Sequence, residues 1–176
     1  MRNKEFDLKR LLYNENEDLY MITYSIILIL CELNNTGRNY FKDYRKLVFL
    51  IPIISDSELT QIFGDYYKGK TQANNSIRHE LEKLYYNSFQ NITMLRYVLL
   101  LLEKKEMVQL QSEEGKTNVI LIREDIAKLF AQNNLFKSEI SNIRKIRSTV
   151  PRIRTINYIT VVDNLFKQNG VLVWEE

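Results

Sequence analysis

"ITMLRYVLLLLEKKEMVQLQSEEGKTNVILI", residues 92–122, changes period in its middle, and that change decides the fold. Up to Leu102 the apolar residues crowd at helical spacing. Beyond Met107, Val108 and Leu110 and then Val119 and Leu121 alternate with polar neighbours around the turn "SEEGK". The stretch therefore predicts a helix running directly into two antiparallel strands. Just upstream, Ile77, Leu81, Leu84 and Tyr85 share one face of a helix that Ser76 can cap, and a second helix starts at Asn91.

Helix, helix, strand, turn, strand is the element order of a winged helix. Working outward, Asp18 to Leu33 reads as a helix closed by "NNTG" at Gly37. The segment "YFKDYRKLVFLIPIISD" is apolar from Leu47 to Ile54, with Pro52 marking a helix end or a kink. Asp56 or Ser57 caps a short helix carrying Leu59, Ile62 and Phe63. Downstream, helices are expected near Ile126 to Leu135, Glu139 to Arg147 and, longer, Arg154 to Gln168, which Asn169 and Gly170 end before a last strand, "VLVW". The fold class is mostly α with a small β component. An N-terminal segment (1–17) precedes a winged-helix domain (18–122) and a C-terminal helical or second winged-helix-like subdomain (123–176).

At 176 residues, 45% hydrophobic and 27% charged, the chain is a globular one that can bury a real core, as one domain or as two small subdomains sharing it. One cysteine, Cys31, and one histidine, His79, supply neither a disulfide, nor a metal cluster, nor a His-paired nucleophile. No catalytic, cofactor-binding or metal-binding residues are expected. The longest apolar run, Leu19 to Leu33, is short for a bilayer span and contains Glu32, and the first residues lack a secretory signal, so a cytoplasmic protein without a membrane is expected.

"GDYYKGKT", Gly64 to Thr71, spells the phosphate-loop pattern G-x-x-x-x-G-K-[ST]. Such a loop needs a buried strand before it and a helix starting at the Lys-Thr pair. Upstream, however, "SELTQIF" has helical spacing, Tyr66 and Tyr67 crowd the loop, and the next helix begins late, near Ser76. "ITVVD", Ile159 to Asp163, looks like a magnesium-holding partner motif, but Ile156, Ile159, Val162 and Phe166 place Asp163 on a helix. The stretch reads as a lysine-bearing turn between helices.

The helix before the hairpin is too apolar to read DNA. Six consecutive apolar or aromatic residues, Tyr97 to Leu102, point all round it, so it needs cover on more than one side; Tyr97, Leu100 and Leu101 are the candidate partner-binding residues. Glu113 and Glu114 at the wing tip, opposed by Lys116, would repel phosphates. The better nucleic-acid candidate is "IRKIRSTVPRIRTINY". Ile140, Ile143, Ile146 and Val150 bury there while Arg144, Lys145 and Arg147 face outward, and Pro151 breaks the chain before Arg152 and Arg154. Those five cations suit DNA phosphates or an acidic protein surface, and a solvated helix face is the plain alternative.

"YSIILILCELNN", "DYRKLVFLIPIISD" and "LRYVLLLLEKKEMVQLQSEEGKTNVILI" together resemble the small middle components of bacterial three-component ABC-type systems, including Lamassu-type defence complexes. Glu106 stands where the winged-helix pattern usually has glycine. The resemblance implies a non-enzymatic winged-helix subunit that docks on an SMC-like ATPase and links it to an effector, commonly a nuclease, in defence against phage or plasmid DNA. Two other readings stay open: a stand-alone winged-helix transcription regulator, and a small nucleotide hydrolase using Lys70.

Overall fold

The computed structural model describes residues 18–33, 40–123 and 134–174, with residues 125, 128, 129 and 132 among those between. The helices are α1 (Asp18–Leu33), α2 (Leu47–Ser55), α3 (Ser57–Tyr66), α4 (Asn75–Gln90), α5 (Ile92–Lys104), α6 (Lys137–Thr149) and α7 (Tyr158–Leu165). The strands β1 (Val108–Glu113) and β2 (Lys116–Leu121) form one antiparallel hairpin. The chain is thus mostly helical with a small two-stranded sheet, as its periodicity predicts. The expected N-terminal segment (1–17), the "NNTG" helix stop and half of the helix expected near Ile126 to Leu135 lie outside the described residues.

Helix α1 is the axis of the molecule. Ile22 and every residue from Ile26 to Leu30 are buried, so apolar side chains leave it in all directions. A helix of that kind has to be wrapped, and α2, α5, α6 and β2 all pack against it. A second centre of packing is Phe49 on α2. Its ring lies 4.9 Å from that of Phe166, 5.8 Å from Tyr158 and 6.0 Å from each of Tyr85 and Phe89. Rings at these distances add about 0.5–1.5 kcal/mol per pair beyond burial. The core is continuous from Ile22 to Val171 and crosses the boundary expected at 122/123.

Local chemistry explains the element ends. The Asp56 carboxylate accepts from the N–H groups of Glu58 (2.7 Å) and Leu59 (3.3 Å), which starts α3 after a 119° change of direction. Pro52 lies inside α2, one turn before its end. Helix α4 starts earlier than expected, because the cap is the Asn74 side chain, which accepts from the Ile77 N–H at 2.9 Å, and not Ser76. At the end of α5, Met107 N–H donates to the Leu102 carbonyl and Glu106 N–H to that of Glu103, both at 2.9 Å, with Glu106 at φ 56. That is the left-handed helix stop in which glycine is preferred, and here glutamate occupies it.

The hairpin pairs Val108 with Leu121 and closes at Glu113 and Lys116 through Glu114 and Gly115, at φ 50 and 75. Positive φ at both turn residues matches the twist of a two-residue hairpin loop. Phe41 adds a one-residue bridge to β2: its N–H donates to the Val119 carbonyl at 2.7 Å, and its carbonyl accepts from the Val119 N–H at 2.9 Å.

Two expectations for the C-terminal third fail. The long helix from Arg154 to Gln168 is confined to Tyr158–Leu165, because residues 151–156 form turns whose carbonyls are used elsewhere. "VLVW" makes no strand. Its backbone meets side chains of α4, with Trp174 N–H donating to Tyr85 Oη (3.2 Å) and Tyr86 Oη donating to the Leu172 carbonyl (3.3 Å). Among the described residues this third holds no strand.

Candidate partner and nucleic-acid interfaces

Helix α5 has two contrasting faces. Leu95, Val98, Leu99 and Leu102 are buried against α1, α2 and β1. The opposite side carries Met94, Tyr97 and Leu100, which are 39%, 53% and 58% exposed, with Leu101 half-buried at the margin. The surrounding fold therefore leaves Tyr97 and Leu100 of the three candidate partner-binding residues open. The same helix faces solvent through Arg96, whose guanidinium donates to Tyr44 Oη.

The hairpin next to α5 is tied inward by a polar relay. The Glu113 carboxylate accepts from Asn118 Nδ2 (3.1 Å), and Asn118 Oδ1 accepts from the buried N–H of Asp43 (3.0 Å). The Asp43 carboxylate holds Arg45 in a two-pronged pair at 3.0 and 2.9 Å, and that guanidinium lies 4.5 Å above the Tyr158 ring. One of the two wing carboxylates is thus committed to structure.

Lys46 sits at the centre of this region with no exposed surface. Its ammonium donates to the carbonyls of Ile153 (2.7 Å), Arg154 (2.9 Å) and Ile156 (2.8 Å), and lies 4.5 Å from the centre of the Phe41 ring. Three acceptors match the three N–H donors of an ammonium group. Burial pushes its pKa down to about 7, opposed by the Asp43 charge and reinforced by Lys42 and Arg154. Sequence reasoning missed this node. The one signal was a lysine directly before the apolar run of α2, a position that reads as surface by composition.

The basic strip is partly as expected. Ile140, Ile143, Ile146 and Val150 are buried, while Arg144, Lys145, Arg147 and Arg152 are exposed. Arg144 pairs with Glu32 at 3.1 Å, and Arg147 donates to the Glu32 carbonyl at 3.3 Å, so both meet the C-terminal end of α1, where its dipole favours cations. Arg154 is half-buried, and its carbonyl accepts from Lys46 and from the Lys42 N–H (3.0 Å). Four of the five cations are therefore exposed, two of them engaged with Glu32.

The stretch from Gly64 to Thr71 lacks phosphate-loop geometry. Gly64, Asp65 and Tyr66 are inside α3, and Tyr67–Gly69 continue as a single 3-10 turn. Tyr67 is buried against Phe63, ring to ring at 4.9 Å, and burial raises its phenol pKa while the amide of Asn164 opposes the shift. A helix rather than a strand delivers the chain there, and the next helix begins at Asn75. Asp163 lies on α7, paired with Lys167 at 3.2 Å, as its spacing predicts. Cys31 is half-buried on α1 and His79 is exposed on α4, 3.9 Å from Glu82. No single helix among the described residues is long and apolar enough to cross a membrane.

Comparisons with protein-family models, with curated proteins and with solved structures returned no match.

Proposed function

We propose that this chain is a non-catalytic interaction subunit that docks through the open face of α5 on an SMC-like ATPase and links it to an effector, such as a nuclease, in defence against phage or plasmid DNA. The observation that carries the docking clause is the row Met94, Tyr97 and Leu100, large apolar side chains held in water on a helix whose other side is core. Burying each fully is worth about 1.5–3 kcal/mol, a strong reason for a partner to cover them. The identity of that partner, and the defence role, rest on the family resemblance of residues 18–122. The winged-helix reading rests on the order α4, α5, β1, β2 and on the Phe41 bridge, which sets the chain after α1 beside the second strand of the hairpin.

DNA contact belongs to the same proposal but to a different surface, the strip Arg144, Lys145, Arg147, Arg152 and Arg154. The wing tip, with Glu114 exposed and Glu113 engaged, is a poor phosphate binder.

Co-expression with the adjacent reading frames, followed by capture, tests the docking clause. Tyr97→Asp with Leu100→Asp should abolish capture of the ATPase while the chain stays folded by circular dichroism; retained capture removes α5 from the interface. Charge reversal at Arg144, Arg147 and Arg152 should weaken DNA retention by the assembled complex and reduce its salt slope by about one unit for each phosphate it no longer neutralises. Tight binding of promoter DNA by the isolated chain would favour a transcription regulator instead. ATP binding that disappears in Lys70→Ala would overturn the non-catalytic reading.

A further inference from the structure

The sequence contains one Asn-Gly dipeptide, Asn169-Gly170, and the fold accounts for its two residues separately. After α7 the 3-10 turn Lys167–Asn169 closes with Gly170 N–H donating to the Lys167 carbonyl (3.0 Å) and Val171 N–H to that of Phe166 (3.1 Å). Gly170 is left-handed at φ 79, and a Cβ there would meet the Arg78 stem at 3.4 Å. A helix stop of this form calls for glycine. Asn169 is 6% exposed, and its Nδ2 donates to the carbonyls of Leu165 (2.8 Å) and Tyr66 (3.1 Å), which ties the end of α7 to the end of α3. Its Oδ1 is buried with no partner among the described residues, a penalty that offsets part of what the two donated bonds contribute.

Glycine is also the neighbour that least hinders attack of its own backbone nitrogen on an asparagine side chain, because no Cβ crowds the approach. In the closed fold that attack is blocked, since the Gly170 N–H is held by Lys167 and the Asn169 amide by two carbonyls. The block is only as stable as the tail that follows it. Residues 171–174 join no sheet and bury one side chain, Val171. Two hydroxyl bonds, through Tyr85 and Tyr86, hold their backbone on α4, and Leu172 and Trp174 are 80% and 62% exposed. A segment with so few buried contacts opens before the core does.

We propose that Asn169 is a deamidation site that makes a passing opening of the C-terminal tail permanent. When the tail lifts, the deprotonated Gly170 nitrogen attacks Asn169 Cγ. The new N–Cγ bond closes a five-membered imide, the Cγ–Nδ2 bond breaks, and ammonia leaves with the proton that the Gly170 nitrogen gave up. Water then adds to either imide carbonyl and opens the ring to aspartate or isoaspartate, with no change of oxidation state. Neither product rebuilds the tie. A carboxylate places an acceptor where Nδ2 donated, against two carbonyl oxygens, and isoaspartate also lengthens the main chain by one methylene before Gly170. Trp174 then leaves the rings of Tyr85, Tyr86 and Phe89, on which it packs in the closed form.

Trp174 is the sole tryptophan, so quenching of its fluorescence by acrylamide reports the tail. The full chain is aged in mildly alkaline buffer, with and without urea below the unfolding transition, beside the same chain unfolded in urea, and the peptide containing residue 169 is followed by mass spectrometry. The folded chain should convert at Asn169 roughly a hundredfold more slowly than the unfolded one. Low urea should leave that rate unchanged, because a local opening exposes little surface. Aged chains, separated by their added negative charge, should show Trp174 quenching that rises toward that of free indole while the far-ultraviolet circular dichroism stays native, and Asn169→Asp should match them. An amide still intact long after that hundredfold interval, or a rate that climbs with the first urea as global unfolding does, would overturn the site. Aged chains with unchanged quenching, or with their helical signal lost, would overturn the release of the tail.

Discussion

Lys46 and Arg147 make the same kind of contact, a cation donating to a peptide carbonyl of a distant segment, in opposite surroundings. Lys46 is wholly buried and meets three carbonyls of the 153–156 turn; Arg147 is exposed and meets one at the end of α1. What each is worth follows from what its removal leaves behind. The Ile153 carbonyl and the Lys46 side chain are buried, and the other two contacts part-buried, whereas the Arg147 contact with the Glu32 carbonyl is exposed to water. The isolated lysine is therefore structural, and the run of arginines remains available for recognition.

The largest test of that contrast is Lys46→Met. It keeps the stem and strips the ammonium, leaving the Ile153 and Ile156 carbonyls unpaired while that of Arg154 keeps the Lys42 N–H, and should lower stability by about 3 kcal/mol, read from the urea midpoint. Should the midpoint hold, burial without partners costs far less here than the contrast requires. Asp43→Asn comes next. It keeps a residue that tolerates φ 57 but removes the charge that Arg45 grips, at a cost of about 1–2 kcal/mol.

A pH series sharpens the same point without changing the buried packing. The Lys46 pKa is depressed to about 7 from 10.5, so between those values the unfolded chain binds the proton that the folded chain has released. Stability should rise with pH across that window. The neutral amine has two donors for three carbonyls and blunts the rise without reversing its sign. Urea midpoints at pH 7, 8 and 9 should climb in the wild type relative to Lys46→Met. The smallest effect belongs to the strip: Arg144→Ala with Arg147→Ala should change stability by no more than about 1 kcal/mol, measured in the same way, with the larger deficit appearing in DNA retention.

The same contrast explains what was legible in the sequence. Features written in neighbouring residues were readable: the alternation of Val108, Leu110, Val119 and Leu121, the all-round apolar α1, the Asp56 cap, and the outward set of α6. Features that depend on residues far apart in the chain were not. The start of α7 is delayed because the carbonyls of Ile153, Arg154 and Ile156 serve Lys46, more than a hundred residues earlier. "VLVW" is an apolar run of good strand formers, yet Tyr85 and Tyr86 offer it hydroxyls instead of a ladder. Of the candidate sites, Tyr97 and Leu100 followed from crowding within one helix, whereas the Lys46 node needs the distant 153–156 turn, which no local pattern encodes.

The lysine clasp also imposes an order on biosynthesis. Residue 46 leaves the ribosome more than a hundred residues before the turn that receives it, a wait of roughly 5–20 s at ordinary elongation rates. Until then the amine stays in water, and the α2 end of the core cannot close around it. The nascent chain is therefore held in an incomplete, greasy state with α1 unwrapped by α6, the interval in which a chaperone or an assembly partner has its longest access to the protein.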